Sequence, residues 1–244
     1  MNAIRTILFY VVFVIATLFW SIAIIVMRLL PEHLHHRYSI GWANTTIWLA
    51  RALAGIRWQV HGAENLPATP VIFMINHQSN WETIFMPTLH HKNKWVLKKS
   101  LLHLPFLGWA LASLRPIAID RSKRKEAMAR IIEQGTERVS RGYSVILYPE
   151  GTRQPPGVPI VFKQGAIRLA KALNLPIVAV AHNAGQFWPK RGWMKPGTVQ
   201  VYVSPPFAID SAPPAELNRQ IEQWVTRHRD MAEAAENMRR GQEA

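Results

Sequence analysis

Cysteine is absent from this 244-residue chain. That excludes disulfide stapling and thiolate catalysis alike. Acidic side chains are scarce: 15 Asp and Glu stand against 29 Lys and Arg, giving a formal net charge of +14. A balance this basic points to an anionic partner, whether nucleic acid, an anionic membrane face or a phosphate-bearing substrate. No G-x-x-x-x-G-K-[ST] or G-x-G-x-x-G stretch occurs, so a nucleotide-dependent function has no motif to rest on. No G-x-S-x-G elbow presents a serine nucleophile either. Internal repeats are lacking, as is any linker long enough to split the body of the chain. The length then fits one domain of about 180 to 200 residues plus an appendage.

What the chain does have is a long apolar run. Thr6 to Met27 covers 22 residues without a charge, between Arg5 and Arg28. As a helix it measures about 33 Å, enough to cross a hydrocarbon core of about 30 Å. It is too long for a cleavable signal and no small-residue cleavage site follows it, so a membrane helix is expected. A second segment, Ile40 to Ile56, interleaves Trp42, Ile47, Trp48, Leu49 and Leu53 with polar residues and Arg51, the pattern of a helix lying at an interface. His33, His35 and His36 fall between the two, and His90 and His91 follow later. No Cys or acidic ligand accompanies either set at a structural-site spacing, so no metal is assigned. A headgroup-facing cluster is expected instead. Residues 1–56 are read as a membrane-anchoring helical segment, and 57–244 as a catalytic domain with a closing helix at its carboxyl end.

Past Gly55 the apolar runs shorten and alternate with helix-length segments. Strands are expected at Arg57–Val60, Val71–Ile75, Trp95–Leu97, Pro116–Ile119, Ser144–Tyr148, Ile177–Ala181 and Val199–Val203. Helices are expected at Trp81–His91, Leu101–Leu114, Lys123–Arg141, Lys163–Leu173 and, by its apolar spacing, Pro213–Arg240. The alternation predicts an α/β fold: a mixed, largely parallel central sheet flanked by helices, with the amino-terminal membrane-associated segment added.

Ligands of open α/β sheets collect at the carboxyl ends of strands, and the polar stretch Asn76-His77-Gln78-Ser79-Asn80-Trp81-Glu82-Thr83 stands at such an end. With His77 in the loop and Glu82 in the first helical turn, the carboxylate can fold back onto the ring. It would hold one N–H and leave the other nitrogen as a base. The plain alternative is a loop histidine beside a first-turn acid favoured by the helix dipole. Ser79 reads as a local turn hydroxyl, and the amides near Asn80 are candidate oxyanion donors. In Tyr148-Pro149-Glu150-Gly151-Thr152-Arg153, Gly151 lets the backbone approach a ligand, while the Thr152 hydroxyl and Arg153 guanidinium suit a phosphate monoester. Glu150 can accept from a substrate hydroxyl or hold an arginine in its pose. Arg121, ending the apolar run Pro116–Ile119, can also grip a phosphate. Between Phe187 and Lys195 aromatic and basic residues alternate, a pattern that serves single-stranded nucleic acid or a headgroup layer. Beside a membrane anchor the headgroup reading is taken, and no nucleic-acid partner is expected.

NHQSNWE resembles the first motif of the glycerolipid acyltransferases, in particular the 1-acylglycerol-3-phosphate acyltransferases. EGTR matches the third motif without substitution, about 70 residues later. PIAIDR resembles the second motif, although an aromatic often stands where Ala118 or Ile119 does, and LPIVAV resembles the fourth. The likeness runs from about Gly62 to Pro206. The family usually places aspartate where Glu82 stands, one methylene shorter. The resemblance implies transfer of a fatty acyl group from a thioester donor, acyl-CoA or acyl-carrier protein, to lysophosphatidic acid, with no bound cofactor. His77 and Glu82 would be catalytic, and Arg121, Glu150, Gly151, Thr152 and Arg153 would bind substrate. Lys98 is carried over as a substrate-facing cation, with a solvated strand end as its alternative. The resemblance further implies a helical pair dipping into one leaflet of an anionic membrane surface, so monotopic and single-pass anchors both stay open. The expected setting is a bacterial inner membrane, with the catalytic domain on its cytoplasmic side. Two alternatives stand beside this reading: another lyso-lipid acceptor, such as a lyso-ornithine lipid or a lysophospholipid, or a non-catalytic basic protein of membrane surfaces.

Overall fold

The apolar runs between residues 56 and 203 form seven strands of a single sheet, in the order β1-β7-β6-β2-β5-β3-β4. The strands are β1 (Ile56–His61), β2 (Ile72–Ile75), β3 (Asn93–Lys98), β4 (Ile117–Ile119), β5 (Ser144–Leu147), β6 (Ile177–His182) and β7 (Gly197–Val203). This computed structural model describes residues 1–120 and 124–242, with only the backbone for 124–126. From β6 through β2, β5 and β3 to β4, every pairing is parallel. β7 runs antiparallel to β6, and β1 parallel to β7, so the sheet is mixed and largely parallel as expected.

Strand period two sends alternate side chains to opposite faces, and here both faces are covered. Ile72, Met74, Val145, Ile177 and Ala179 pack against α6 (Gly165–Leu173) and α7 (Pro214–Gln242) through Ile167, Leu169, Leu217 and Ile221. Phe73, Ile75, Ile146, Val178 and Val180 face the other way, onto α3 (Trp81–Leu89) and the amino-terminal helices α1 (Asn2–Val26) and α2 (Glu32–Ala54). Phe9 of α1 and Ala43, Ile47 and Ala50 of α2 belong to this same cluster. Gly55 ends α2 in the left-handed region, at φ 71°, where a side chain would be strained.

Two expectations change in detail. The helix predicted over Leu101–Leu114 is a 3-10 turn, Lys99–His103, followed by α4 (Leu107–Ser113), because Pro105 cannot continue a helix. Two of the histidines expected at the headgroup level turn inward instead, while His33 stays exposed. His35 Nε2 meets the carbonyl of Ile24 at 2.9 Å and His36 Nε2 that of His91 at 2.6 Å, and both rings are buried. α5 (Arg124–Ser140) joins β4 to β5, as predicted.

Candidate active site

β2 and β5 are neighbours running the same way, so the loops leaving their carboxyl ends meet. One carries Asn76–Asn80 and the other Pro149–Gln154. Their junction is fixed by main chain: Gln154 N–H donates to the His77 carbonyl at 2.8 Å, and the His77 N–H to Glu150 Oε1 at 2.9 Å. The two stretches singled out in the sequence are thus brought together.

Within the first loop, His77 Nδ1 lies 2.7 Å from Glu82 Oε1. The same oxygen accepts the amides of Gln78, at 3.1 Å, and Ser79, at 3.0 Å. Glu82 is 1% exposed. Burial alone would raise its carboxyl, but the nearby His182 ring, the bond to His77 and the Ser79 amide outweigh that and hold it below the ordinary carboxylate value. A carboxylate at that position obliges Nδ1 to carry the proton, which leaves Nε2 with a lone pair. Tyr148 forms the floor under the imidazole, with ring centroids 4.4 Å apart.

His182 and Asn76 lock the base of the loop. Asn76 Nδ2 donates to the His182 carbonyl and the His182 amide to Asn76 Oδ1, both at 3.0 Å. The His182 ring takes the Ala184 amide on Nδ1 and therefore donates through Nε2 to the Asn76 carbonyl, at 2.8 Å. Burial lowers its pKa, which keeps it neutral. It is a satisfied core histidine. Ser79 is equally committed: its hydroxyl donates to the Trp188 carbonyl at 2.6 Å and accepts the Trp81 amide at 3.0 Å. With the amides of Gln78, Ser79 and Trp81 all engaged, the helix start near Asn80 is a poorer oxyanion hole than its sequence suggests.

The second loop arranges its residues unequally. Glu150 is buried and braces the His77 backbone; among the described residues the charge of Arg229 acts on it. Burial pushes its carboxyl up to about 7, with a further rise from Glu82. Gly151 has φ 76°, and a Cβ there would stand 2.8 Å from Lys163 Nζ. Thr152 is exposed beside it. Arg153 Nη1 donates to Asn80 Oδ1 at 2.8 Å, so the guanidinium is tethered to the histidine loop. Lys98 ends β3, two strands from β2, and points to solvent outside this cluster. Arg121 lies outside the described residues.

The cleft that opens here spans about 1280 Å³ with its open mouth counted. His77, Gly151 and Lys163 stand at one side, and Val96, Met128, Ile131 and Leu147 continue it as an apolar wall. Lys163 escaped sequence reading because it belongs to no motif; only the close approach at Gly151 reveals it. Tyr148 was visible as the residue before Pro149, but nothing in the sequence announces that it stacks on a ring 71 positions earlier. Phe187 and Trp188, expected at the membrane surface, are buried in the core.

A general acyltransferase family model matches residues 57–183, more than half of the chain. A 1-acyl-sn-glycerol-3-phosphate acyltransferase of Pseudomonas aeruginosa is 43% identical over 231 residues, covering 92% of this chain and 90% of that protein. The chain belongs to the acyltransferase family. A yeast 1-acyl-sn-glycerol-3-phosphate acyltransferase, from Saccharomyces cerevisiae, is 32% identical over 66% of this acyltransferase and 55% of its own length. In fold this chain is similar to the crystal structure of the 1-acyl-sn-glycerophosphate (LPA) acyltransferase PlsC from Thermotoga maritima, with a TM-score of 0.77 and 21% identity. That match covers 94% of this chain and 96% of the other.

Proposed function

We propose that this acyltransferase moves a fatty acyl group from a thioester, carried by coenzyme A or acyl-carrier protein, to the 2-hydroxyl of 1-acylglycerol-3-phosphate. The product is phosphatidic acid. The observation that carries the reading is the pairing of His77 Nδ1 with buried Glu82 at 2.7 Å, which leaves Nε2 at the mouth of a partly apolar cleft. Nε2 accepts the hydroxyl proton as the alcohol oxygen attacks the thioester carbonyl. Glu82 stabilises the imidazolium that results. Collapse of the tetrahedral intermediate breaks the C–S bond, and the departing thiolate takes the proton back from Nε2. No enzyme nucleophile is required, which agrees with the lack of cysteine and with the engaged hydroxyl of Ser79.

The acceptor's phosphate is assigned to Arg153 and Lys163, which flank the Gly151–Thr152 turn, with Arg121 as a third cation. Lys98, exposed at the end of β3, is left to the donor. We assign the reaction to an anionic membrane surface, on the cytoplasmic side of a bacterial inner membrane; the basic chain and the exposed apolar face of α1 support the membrane part of that reading.

The test is an acceptor and donor panel on the purified protein in mixed micelles. Lysophosphatidic acid should be the preferred acceptor. His77→Ala should lower turnover by about 10³-fold without loss of fold. Arg153→Ala and Lys163→Ala should raise the acceptor KM more than they lower kcat. Near-normal turnover in His77→Ala would overturn the base assignment. Preference for a lyso-lipid without a terminal phosphate would overturn the acceptor.

A further inference from the structure

The catalytic cleft leaves a second basic hollow unexplained, at the amino ends of β3 and β4. It opens between the turn after α1, α2 and the end of α4, about 550 Å³ with its open mouth counted, and Arg28, Lys94 and Arg115 line it. It shares no lining residue with the catalytic cleft. Lys94 is an unusual wall, since lysine is rarely interior and this one is 1% exposed. Its Nζ donates to the Leu114 carbonyl at 2.7 Å, sits 4.2 Å from the Tyr143 ring centroid, and lies 3.7 Å from Glu32 Oε1. Burial brings its pKa down to about 8, so the ammonium is still charged at neutrality.

Among the described residues Glu32 is the only carboxylate on the wall, and Arg141 already holds it at 2.7 Å. Among the described residues, neither Arg28 nor Arg115 has a carboxylate within ion-pair distance. Three cations therefore face one carboxylate that is already neutralised. Arg115 is held in the left-handed region, at φ 51°, with its carbonyl accepting from Arg138 Nε at 2.8 Å. Its place at the rim is thus set by the backbone.

The hollow continues into an open trough of about 740 Å³ that shares Arg28, Ser113 and Arg115 and is completed by Ile25 and Trp109. Trp109 is 52% exposed and Leu29, next to Arg28, 93% exposed. Leu104 and Phe106 stand out on the same turn. A basic recess thus opens onto an apolar shelf that is continuous with the outer face of α1. Guanidinium groups grip phosphate bidentately, and an exposed indole favours the level of the headgroups.

We propose that Arg28, Lys94 and Arg115 bind the phosphate of an anionic phospholipid whose acyl chains lie over Ile25 and Trp109. This is a structural lipid site at the α1–α2–α4 junction, separate from the reaction. It does not depend on which acceptor the catalytic cleft takes, and phosphatidylglycerol, which is not an acceptor in the proposed reaction, serves as its probe.

The test is the thermal unfolding of the full chain in a neutral detergent. Added phosphatidylglycerol should raise Tm by about 3 °C or more and saturate, because a ligand of the folded state stabilises it. Phosphatidylcholine and inorganic phosphate should not. The Arg28→Gln, Arg115→Gln double variant should lose the phosphatidylglycerol shift while keeping its lipid-free Tm and its turnover. Arg28→Gln alone, on an exposed turn with little to disturb, should lose most of it. A Lys190→Gln, Arg191→Gln pair, equal in charge removed but on a different surface loop, should keep the shift. An undiminished shift in Arg28→Gln and in the double variant overturns the site. So does an equal loss in the Lys190, Arg191 control, which would mean diffuse attraction, or an equal shift from phosphatidylcholine. A shift from inorganic phosphate alone overturns the lipid as ligand.

Discussion

At the scale of single residues the site turns on one oxygen. Glu82 Oε1 accepts from the His77 ring and from the amides of Gln78 and Ser79, so a single atom shapes the loop and fixes the tautomer. Glu82→Gln separates geometry from charge. The amide oxygen can still accept both backbone N–H groups and the Nδ1 proton, but it carries no charge to stabilise an imidazolium. We expect turnover to fall by about 10³-fold with the fold retained, read from kcat alongside Tm. A loss below tenfold would mean that the ring needs no orienting charge. Glu150 poses a different problem, for its pKa lies near 7 instead of the usual 4.5, chiefly through burial. The folded state then binds a proton that the unfolded state has released. Stability from this group is complete below about pH 4.5 and is lost as pH rises through 7. At about 1.4 kcal/mol per pH unit the loss is of the order of 3 kcal/mol. Glu150→Gln keeps an acceptor for the His77 amide and removes the titration. Its denaturation midpoint should be flatter than wild type between pH 5 and 8, and higher at pH 8; parallel curves would place the titration elsewhere.

At the scale of elements, the histidine loop is held from behind by the last helix. Gln78 Nε2 donates to Glu233 Oε1 at 2.6 Å, and Glu233 Oε2 accepts the Gly157 amide at 2.8 Å. α7 thus ties the loop after β2 to the one after β5, without touching the cleft. Glu233→Ala would orphan the buried Gln78 amide, costing about 1–3 kcal/mol, and release the exposed Gly157 N–H, loosening both loops. We expect a lower Tm and a severalfold lower kcat with acceptor KM little changed, and partial rescue by Glu233→Gln. An unchanged kcat would show that α7 only packs. None of this was legible in the sequence, since Gln78 and Glu233 are 155 positions apart and neither belongs to a periodic or turn signal. The strands were legible because they are short, β-branched and bounded by turn residues, as with Val71–Ile75 and Ile177–Ala181. His77, Glu82 and Glu150 were legible because each pair of interacting groups is either local or follows adjacent parallel strands. His35, His36 and Lys94 were not: each looks like a surface residue until segments from elsewhere in the chain cover it.

At the scale of the whole molecule, α1 decides how the enzyme meets its membrane. Its outer face is apolar, with Ile4, Val11, Ile15, Phe19 and Ile22 exposed, which fits membrane association. Its inner face is attached along almost its full length. The Met194 amide donates to Thr6 Oγ1 at 2.9 Å, Trp188 Nε1 to Tyr10 OH at 2.9 Å and Trp42 Nε1 to Thr17 Oγ1 at 3.1 Å, while Ile24 packs with Ala110 and Leu114 of the α4 region. Twenty-five residues make a rod of about 37 Å, long enough to span a bilayer. A rod fastened at both ends to a polar domain cannot cross about 30 Å of hydrocarbon without drawing that domain in with it. We therefore expect a helix lying in one leaflet; its bond to Trp188, whose carbonyl holds Ser79, would link that leaflet to the histidine loop. The lack of cysteine makes this directly testable by single substitutions. In sealed vesicles, Asn2→Cys and Leu29→Cys should both react with a membrane-impermeant maleimide from the side on which Arg191→Cys reacts. A helix that crosses would put positions 2 and 29 on opposite sides, and only one of them would label with position 191.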